Sequence, residues 1–580
     1  VPTIPTDFVP ARFDATDWSR IEPLLKALLD RPVSSARDLE KWLLDRSELM
    51  AACAESESDL YIDMTCNTEN KAAQEAYSRY IETIPPLLKP MYFALDQRQR
   101  ELEKQFPLPA DRYRVLSRDT AAEVEIFRDA NVPIQTDLEK LSQQYQQIIG
   151  AMMVTYKGQE RTLPMMAGFQ ESTDRAVREE TWRLVVDRRL KDADAIDDLY
   201  NRQIALRHQM SRNAGFDNFV GYAFKSKKRF DYTPADCVKF HDACAAAVVP
   251  FMRRQDEKRR RQLGLDALRP WDLAVDPKGR GPLKPFTNGA DLVRKSLDTF
   301  RRMDPGLERM LATLGDGSNT NGAANGACLD LDSRKGKAPG GYQAMRDRRR
   351  EPFIFMNAAG LHRDVETMVH EAGHAFHSML CIDEPLVQYR SPPLEFAEVA
   401  SMSMEMLTMP HWGGAAGFYP DETDLARARR QQIEGSVGLL PWIATIDAFQ
   451  HWVYTNPTHS RSQREQHWLH LDDRFGHAIS WQGLETARAR VWHRQSHLFL
   501  HPFYYIEYGI AQLGALQLWL RSLEEGEKVA IEAYKRAMSL GGSKPLPELF
   551  AAAGLKFDFG ESMVKRLVDR VERELEKLPE

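Results

Sequence analysis

The sequence predicts a mainly α-helical, two-lobed chain with a small β-sheet set beside one helix of the second lobe. Three observations predict it. Apolar residues recur at three-and-four spacing through most of the 580 residues, runs of alternating β-formers are short and few, and a Pro/Gly-crowded stretch at 268–288 interrupts the helical pattern as a loop or hinge. A chain of this length has room for several domains or for one large multi-lobed body.

Taken in order, segments such as AAQEAYSRYIETI and DLEKLSQQYQQIIGAMM between Trp18 and Ile148 carry the amphipathic helix pattern. They belong to an N-terminal helical lobe, placed at residues 1–195. Within it MVTYKGQERT, residues 153–162, alternates β-formers around Lys-Gly and predicts a hairpin. Further helices run from Ser172 to about Gly215, and the second lobe occupies 196–580. There GDGSNTNGAANGA, 315–327, predicts a mobile loop, a flexible connector in preference to an active-site lid. Cys328 to Leu331 and Pro352 to Met356 predict two short strands separated by the glycine-rich RKGKAPGG. From Leu361 onward the helical pattern returns. The apolar stretch from Phe503 to Leu520 contains Glu507, Gln512 and Gln517 and so predicts a buried helix rather than a membrane span.

Composition narrows the class of function. With 43% hydrophobic and 28% charged residues and a net charge of -6 from 78 basic and 84 acidic side chains, the chain reads as soluble and globular. No basic arm calls for nucleic acid. The clusters Lys225, Lys227, Lys228, Arg229 and Arg259, Arg260, Arg261 read as solvated helix faces. Six cysteines without a C-x-x-C pair predict neither a disulfide framework nor a thiolate zinc site, which fits a reducing compartment. The first thirty residues lack signal-peptide order, so a cytoplasmic protein with no membrane partner is expected.

His370-Glu371-Ala372-Gly373-His374 is an H-E-x-x-H sequence. On a helix, predicted here at 361–381, residues four apart are turned by only about 40°, so both imidazoles can share a metal, while Glu371 lies about 100° round, beside it. Val365, Met368, Val369, Ala372, Phe376 and Met379 form the apolar stripe. Glu366, His370, His374 and His377 fall opposite. Zinc asks for a third protein ligand and an open position. A metzincin continuation would have Gly at 377 and His at 380, and this chain has His377 and Leu380. A second helix, predicted at 393–408 after Ser391-Pro392-Pro393, carries Glu395, Glu398 and Glu405 within about 80° of one another. Spacing leaves all three open.

With these residues in view, the sequence resembles the zinc metallopeptidases that include thimet oligopeptidase and oligoendopeptidase F, nearest the bacterial Pz-peptidase-like branch. The resemblance rests on HEAGHAFHS from His370, FAEVASMSME from Phe396 and WHRQSHLFLHPFYYIEYGIAQ from Trp492. It extends upstream through TYKGQERTL, RNAGFDNFVGY, LRPWDLAVDP and LDLDSRKGKAPGGYQ.

The resemblance implies a deep central cleft between the lobes and one zinc ion per chain, held by His370, His374 and Glu398. It implies Glu405 as the support of a ligand histidine and an acidic residue at Asp364 in the surrounding shell. Glu371 becomes the general base for a metal-activated water. Donors to the oxyanion are expected among His497, Tyr508, Tyr504 and Tyr505. The implied activity is endopeptidase action on short oligopeptides. The alternative is a peptidyl-dipeptidase or carboxypeptidase that would fix a substrate carboxylate on Arg334, Lys335 or Lys337; a non-catalytic peptide scaffold would have no use for Glu371. For substrate contacts, PFIFM reads as a strand with an exposed edge for an extended peptide, which brings in Phe355 and Met356. The glycines Gly340 and Gly341 allow close backbone approach, and His501 completes the expected contacts.

Overall fold

The computed structural model describes residues 8–318, 327–334, 336–338 and 340–579. The connector expected at 315–327 lies largely outside the described residues, as does Lys335. The N-terminal part is helical as predicted, with helices Trp18–Asp30, Ala36–Cys66, Lys71–Gln105, Ala110–Ile126 and Asn131–Gly150. Short polar side chains start three of them: Asp17, Ser35 and Asn70 each accept a hydrogen bond from a first-turn N–H that the helix leaves without a partner. Their apolar stripes meet in one core built on Ile21, Leu25, Leu39, Trp42, Leu95 and Leu102. That core takes in residues from 9 to 116 and only Leu386 and Tyr389 from later in the chain. The larger core begins at Ile126 and runs to Leu575. The two cores therefore part between 116 and 126, well before the expected lobe boundary at 195.

The predicted hairpin pairs β1 (Met153–Tyr156) with β2 (Gln159–Thr162) in antiparallel register. Lys157 and Gly158 at its tip have φ of 52° and 73°, the left-handed pair that a two-residue hairpin turn requires. The second sheet has β3 (Leu329–Asp332), β4 (Tyr342–Arg346) and β5 (Glu351–Ala358) in the order β3-β5-β4. This corrects the sequence reading. The PFIFM strand is β5; it is central, with β3 parallel on one side and β4 antiparallel on the other. The edges are β3 and β4, and β4 is a strand that the sequence reading missed.

Three helices stack behind this sheet: His362–Leu380, Leu394–Thr408 and Tyr505–Glu524. Two glycines set their spacing. A Cβ on Gly373 would stand 2.6 Å from Ala400 O and from Ser401 Cα, and one on Gly514 would stand 2.8 Å from a Val399 methyl. The small residue inside HEAGH thus lets the histidine helix press backbone to backbone against the Glu398 helix. Tyr534 locks the contact by donating to Gly373 O and Ala400 O at 3.3 and 3.2 Å. Among the described residues no helix is long and apolar enough to cross a membrane.

Candidate active site

Because the two helices touch at Gly373, the side chains on either side of that contact converge. Ligand atoms of His370, His374 and Glu398 all lie within 4.8 Å of one another. Glu398 Oε2 is 3.4 Å from His370 Nε2 and 3.5 Å from His374 Nε2. Glu405 Oε1 sits 2.7 Å from His370 Nδ1. A carboxylate accepts only, so Nδ1 carries the proton and Nε2 turns its lone pair toward Glu398. Gln432 Nε2 donates to the other oxygen of Glu405 at 3.2 Å, and Ser401 donates to Glu398 Oε2 at 3.0 Å.

Two imidazole nitrogens and a carboxylate oxygen, one histidine held in its ligating tautomer, fit zinc. Burial works to raise the Glu398 carboxyl, but His370 and His374 hold it well below the usual range, so it stays ionised. Of the three carboxylates that spacing left open, Glu395 is excluded: it accepts from Tyr232 at 2.7 Å and faces Arg229.

Glu371 is 6% exposed, and its Oε2 has no hydrogen-bond partner. Burial raises its carboxyl above the usual range, opposed by His370 and His374, which is the direction a proton acceptor near neutral pH needs. Across from it runs β4. The Gln343 N–H points at Glu371, and a Cβ on Gly341 would come within 3.9 Å of Glu371 Oε1. Gly341 is thus at the site, and Gly340 next to it takes φ of 100°. Phe355 and Met356 are not. Both are buried within the sheet, where Phe355 stacks on Tyr342 with centroids 4.8 Å apart.

The aromatic group assembles as expected around His497, whose ring lies 5.0 to 6.3 Å from those of Tyr504, Tyr505, Tyr508 and His501. Phe503 starts this arrangement from the left-handed region, φ 63°; its N–H is held by Gln450 Oε1 and its carbonyl by Arg229. Tyr504 donates to Glu398 Oε1 at 3.1 Å, and the Tyr508 hydroxyl pairs with Tyr504. Tyr505 is directed elsewhere, to Trp442 and Gln495. A relay fixes His497. The Trp442 indole donates to Gln495 Oε1 at 3.0 Å, so Gln495 Nε2 is the donor to His497 Nδ1 at 2.8 Å, and the ring proton belongs on Nε2. Burial pushes His497 down to about 4, which keeps it neutral with one N–H to offer. His501 is exposed at the rim of the group.

Several other expectations change. Asp364 accepts from Ala359 N and Leu361 N at 2.8 and 2.9 Å, so it caps the helix start rather than supporting a ligand histidine. His377, read as part of the polar face, is 3% exposed against Phe396, and burial lowers it to about 3. The solvated face drawn through Lys225 to Arg229 is only half right. Arg229 is buried on Glu507 at 2.7 Å, and Lys227 lies 5.3 Å over the Tyr504 ring. Arg334 and Lys337 both bind Asp330, at 2.6 and 2.9 Å, and are occupied there rather than offered to a substrate carboxylate. Sequence reasoning also missed Ser401, Gln432, Gln495 and Trp442, polar partners that only the folded chain brings near.

Comparison with known proteins identifies the family. An oligoendopeptidase F homolog from Borreliella burgdorferi is 24% identical over 315 residues, 52% of this chain and 49% of its own, so the match spans about half the length of that curated relative. The solved structure of Pz peptidase A with inhibitor 2 superposes with a TM-score of 0.87 at 25% identity, covering 98% of this chain and 99% of its own. An X-ray structure assigned to oligoendopeptidase F gives 0.86 at 26% identity, with 99% of each chain covered. The model of peptidase family M3 matches residues 169–569, which include the sheet, both ligand-bearing helices and the aromatic group. The chain belongs to peptidase family M3.

Proposed function

We propose that this protein is a zinc-dependent endopeptidase that hydrolyses internal bonds of short oligopeptides. The observation that carries the reading is the convergence of His370, His374 and Glu398 within 4.8 Å, with the free Oε2 of Glu371 beside them. A zinc ion bound there would supply a water acidified to near neutrality and a Lewis acid for the scissile carbonyl.

The chain's own residues do the rest. Glu371 accepts the proton of the attacking water on its free Oε2 and passes it to the leaving amine. With Gly341 leaving room beside Glu371, the edge of β4 is a rail on which an extended peptide adds as a further strand, bound through its main chain and so with little regard to sequence. Tyr508, turning its O–H from Tyr504, and the Nε2–H of His497 donate hydrogen bonds to the carbonyl oxygen as it gains charge. Tyr504 steadies Glu398 and passes its order to Tyr508.

A fluorogenic peptide blocked at both ends tests the reading. Cleavage at an internal bond, abolished in Glu371→Gln with zinc content unchanged, is the expected result. Cleavage confined to peptides with a free C-terminus would replace the endopeptidase reading by the peptidyl-dipeptidase one.

A further inference from the structure

A second group of side chains, away from the candidate active site, also has the chemistry of a metal centre. Cys237 and His241 stand four apart on the helix Pro234–Ala243, and Asp447 and His451 stand four apart on the helix Glu422–Thr455 that packs against it. Four-residue spacing brings each pair to one face. The two faces meet, so that ligand atoms of Cys237, Asp447 and His451 lie within 4.8 Å of one another. His241 Nε2 is 2.8 Å from Asp447 Oδ2, and His451 Nε2 is 3.4 Å from the same oxygen.

The group is incomplete as it stands. Asp447 has no exposed surface, yet its Oδ1 has no hydrogen-bond partner, and neither has His451 Nε2. A buried carboxylate oxygen left without donor or cation is costly. Arg229, the nearby guanidinium, turns its Nη2 to Glu507 at 2.7 Å and its Nε toward Glu395 at 3.8 Å. Phe224, Phe475 and Phe503 rim the two histidines, with centroids 5.2 to 6.5 Å away. The Cys237 helix also continues directly into a π-helical turn, Cys244–Val248, a distortion of the kind that helices retain at binding sites.

We propose that Cys237, Asp447 and His451 bind a second divalent metal ion of the zinc class, with His241 holding the Asp447 carboxylate from behind. Thiolate, imidazole and carboxylate together form a borderline-soft donor set that suits zinc. Metal–ligand bonds of about 2.0–2.3 Å put tetrahedral ligand atoms roughly 3.3–3.8 Å apart. Small side-chain rotations close the present group to that size. A thiolate and a carboxylate neutralise the two positive charges, and the phenylalanine rim keeps substrate out, so the ion ties two helices together. Its influence reaches the first site through Phe503, which packs on His451 and precedes Tyr504.

The test uses the full chain expressed in cobalt-supplemented minimal medium. A site of two histidines and a glutamate contains no sulfur, so a thiolate-to-cobalt charge-transfer absorption in the near ultraviolet reports the second site alone. The wild type should show the band and two cobalt ions per chain. His374→Ala should keep the band and hold one ion; Cys237→Ser and His451→Gln should lose the band and hold one. A wild type without the band overturns the proposal, even if the Cys237 and His451 variants fail to fold. So does a band that persists in Cys237→Ser, or a wild type with one ion that falls to none in His374→Ala. Because the band is read without substrate, failure of the peptidase reading would leave this result unaffected.

Discussion

Two regions of this molecule use the same device, a pair of ligand-type residues four apart on one helix, but in opposite surroundings. At His370 and His374 the neighbours are groups that can donate or accept protons: Glu371 with a free oxygen, Tyr504 on Glu398, and the main chain of β4. At Asp447 and His451 the neighbours are phenylalanine rings. The difference teaches that helix spacing makes a possible metal site, whereas what surrounds it decides between chemistry and cohesion.

The largest expected effects test whether the first region is built for reaction. Glu371→Gln should lower peptide hydrolysis by about 10²–10⁴-fold, the usual contribution of a positioned acid–base group, with zinc content unchanged. Near-wild-type turnover would remove Glu371 from the mechanism. Tyr508→Phe should follow, with a loss of about 10²–10³ in kcat and little change in KM, because its hydrogen bond strengthens only as the oxyanion forms. A loss confined to KM would make Tyr508 a substrate contact instead. Next, Glu405→Ala should weaken zinc binding by about 10–100-fold, measured by competition with a chelator, since His370 loses the acceptor that fixes its tautomer. The helix pair around Asp447 should be untouched by all three substitutions, which thermal melting of the variants will check.

How much of this was legible in sequence follows from how local each feature is. His370, Glu371 and His374 were readable because one turn of helix presents them together. Spacing narrowed the third ligand only to Glu395, Glu398 and Glu405, and the choice of Glu398 came from the resemblance, since what removes Glu395 is a hydrogen bond from Tyr232, 163 residues earlier. The strand β4 escaped because YQAMR lacks the alternation of a half-buried strand: its first four residues are all partly exposed. Lys227 and Arg229 were misread for a related reason. A basic run looks solvated until the Tyr504 helix brings Glu507 down onto it. The Cys237 and Asp447 pairs passed unnoticed because neither is a motif alone; 210 residues separate Cys237 from Asp447, and only helix packing joins them.

The smallest effect discriminates between two ways an acidic residue serves the histidine helix. Asp364 had been expected to support the ligand shell, as Glu405 does, but its carboxylate caps the first turn and ties it to the end of β5 through Ala359 N. A lost cap costs about 1 kcal/mol, so Asp364→Ala should lower unfolding stability by that amount in denaturant titration. Asp364→Asn, which keeps an acceptor at the same reach, should restore most of it. Zinc affinity should stay within a small factor of wild type in both, because neither ligand histidine depends on this carboxylate for its tautomer. A fall in affinity comparable to that of Glu405→Ala, with stability unchanged, would reverse the assignment and return Asp364 to the ligand shell.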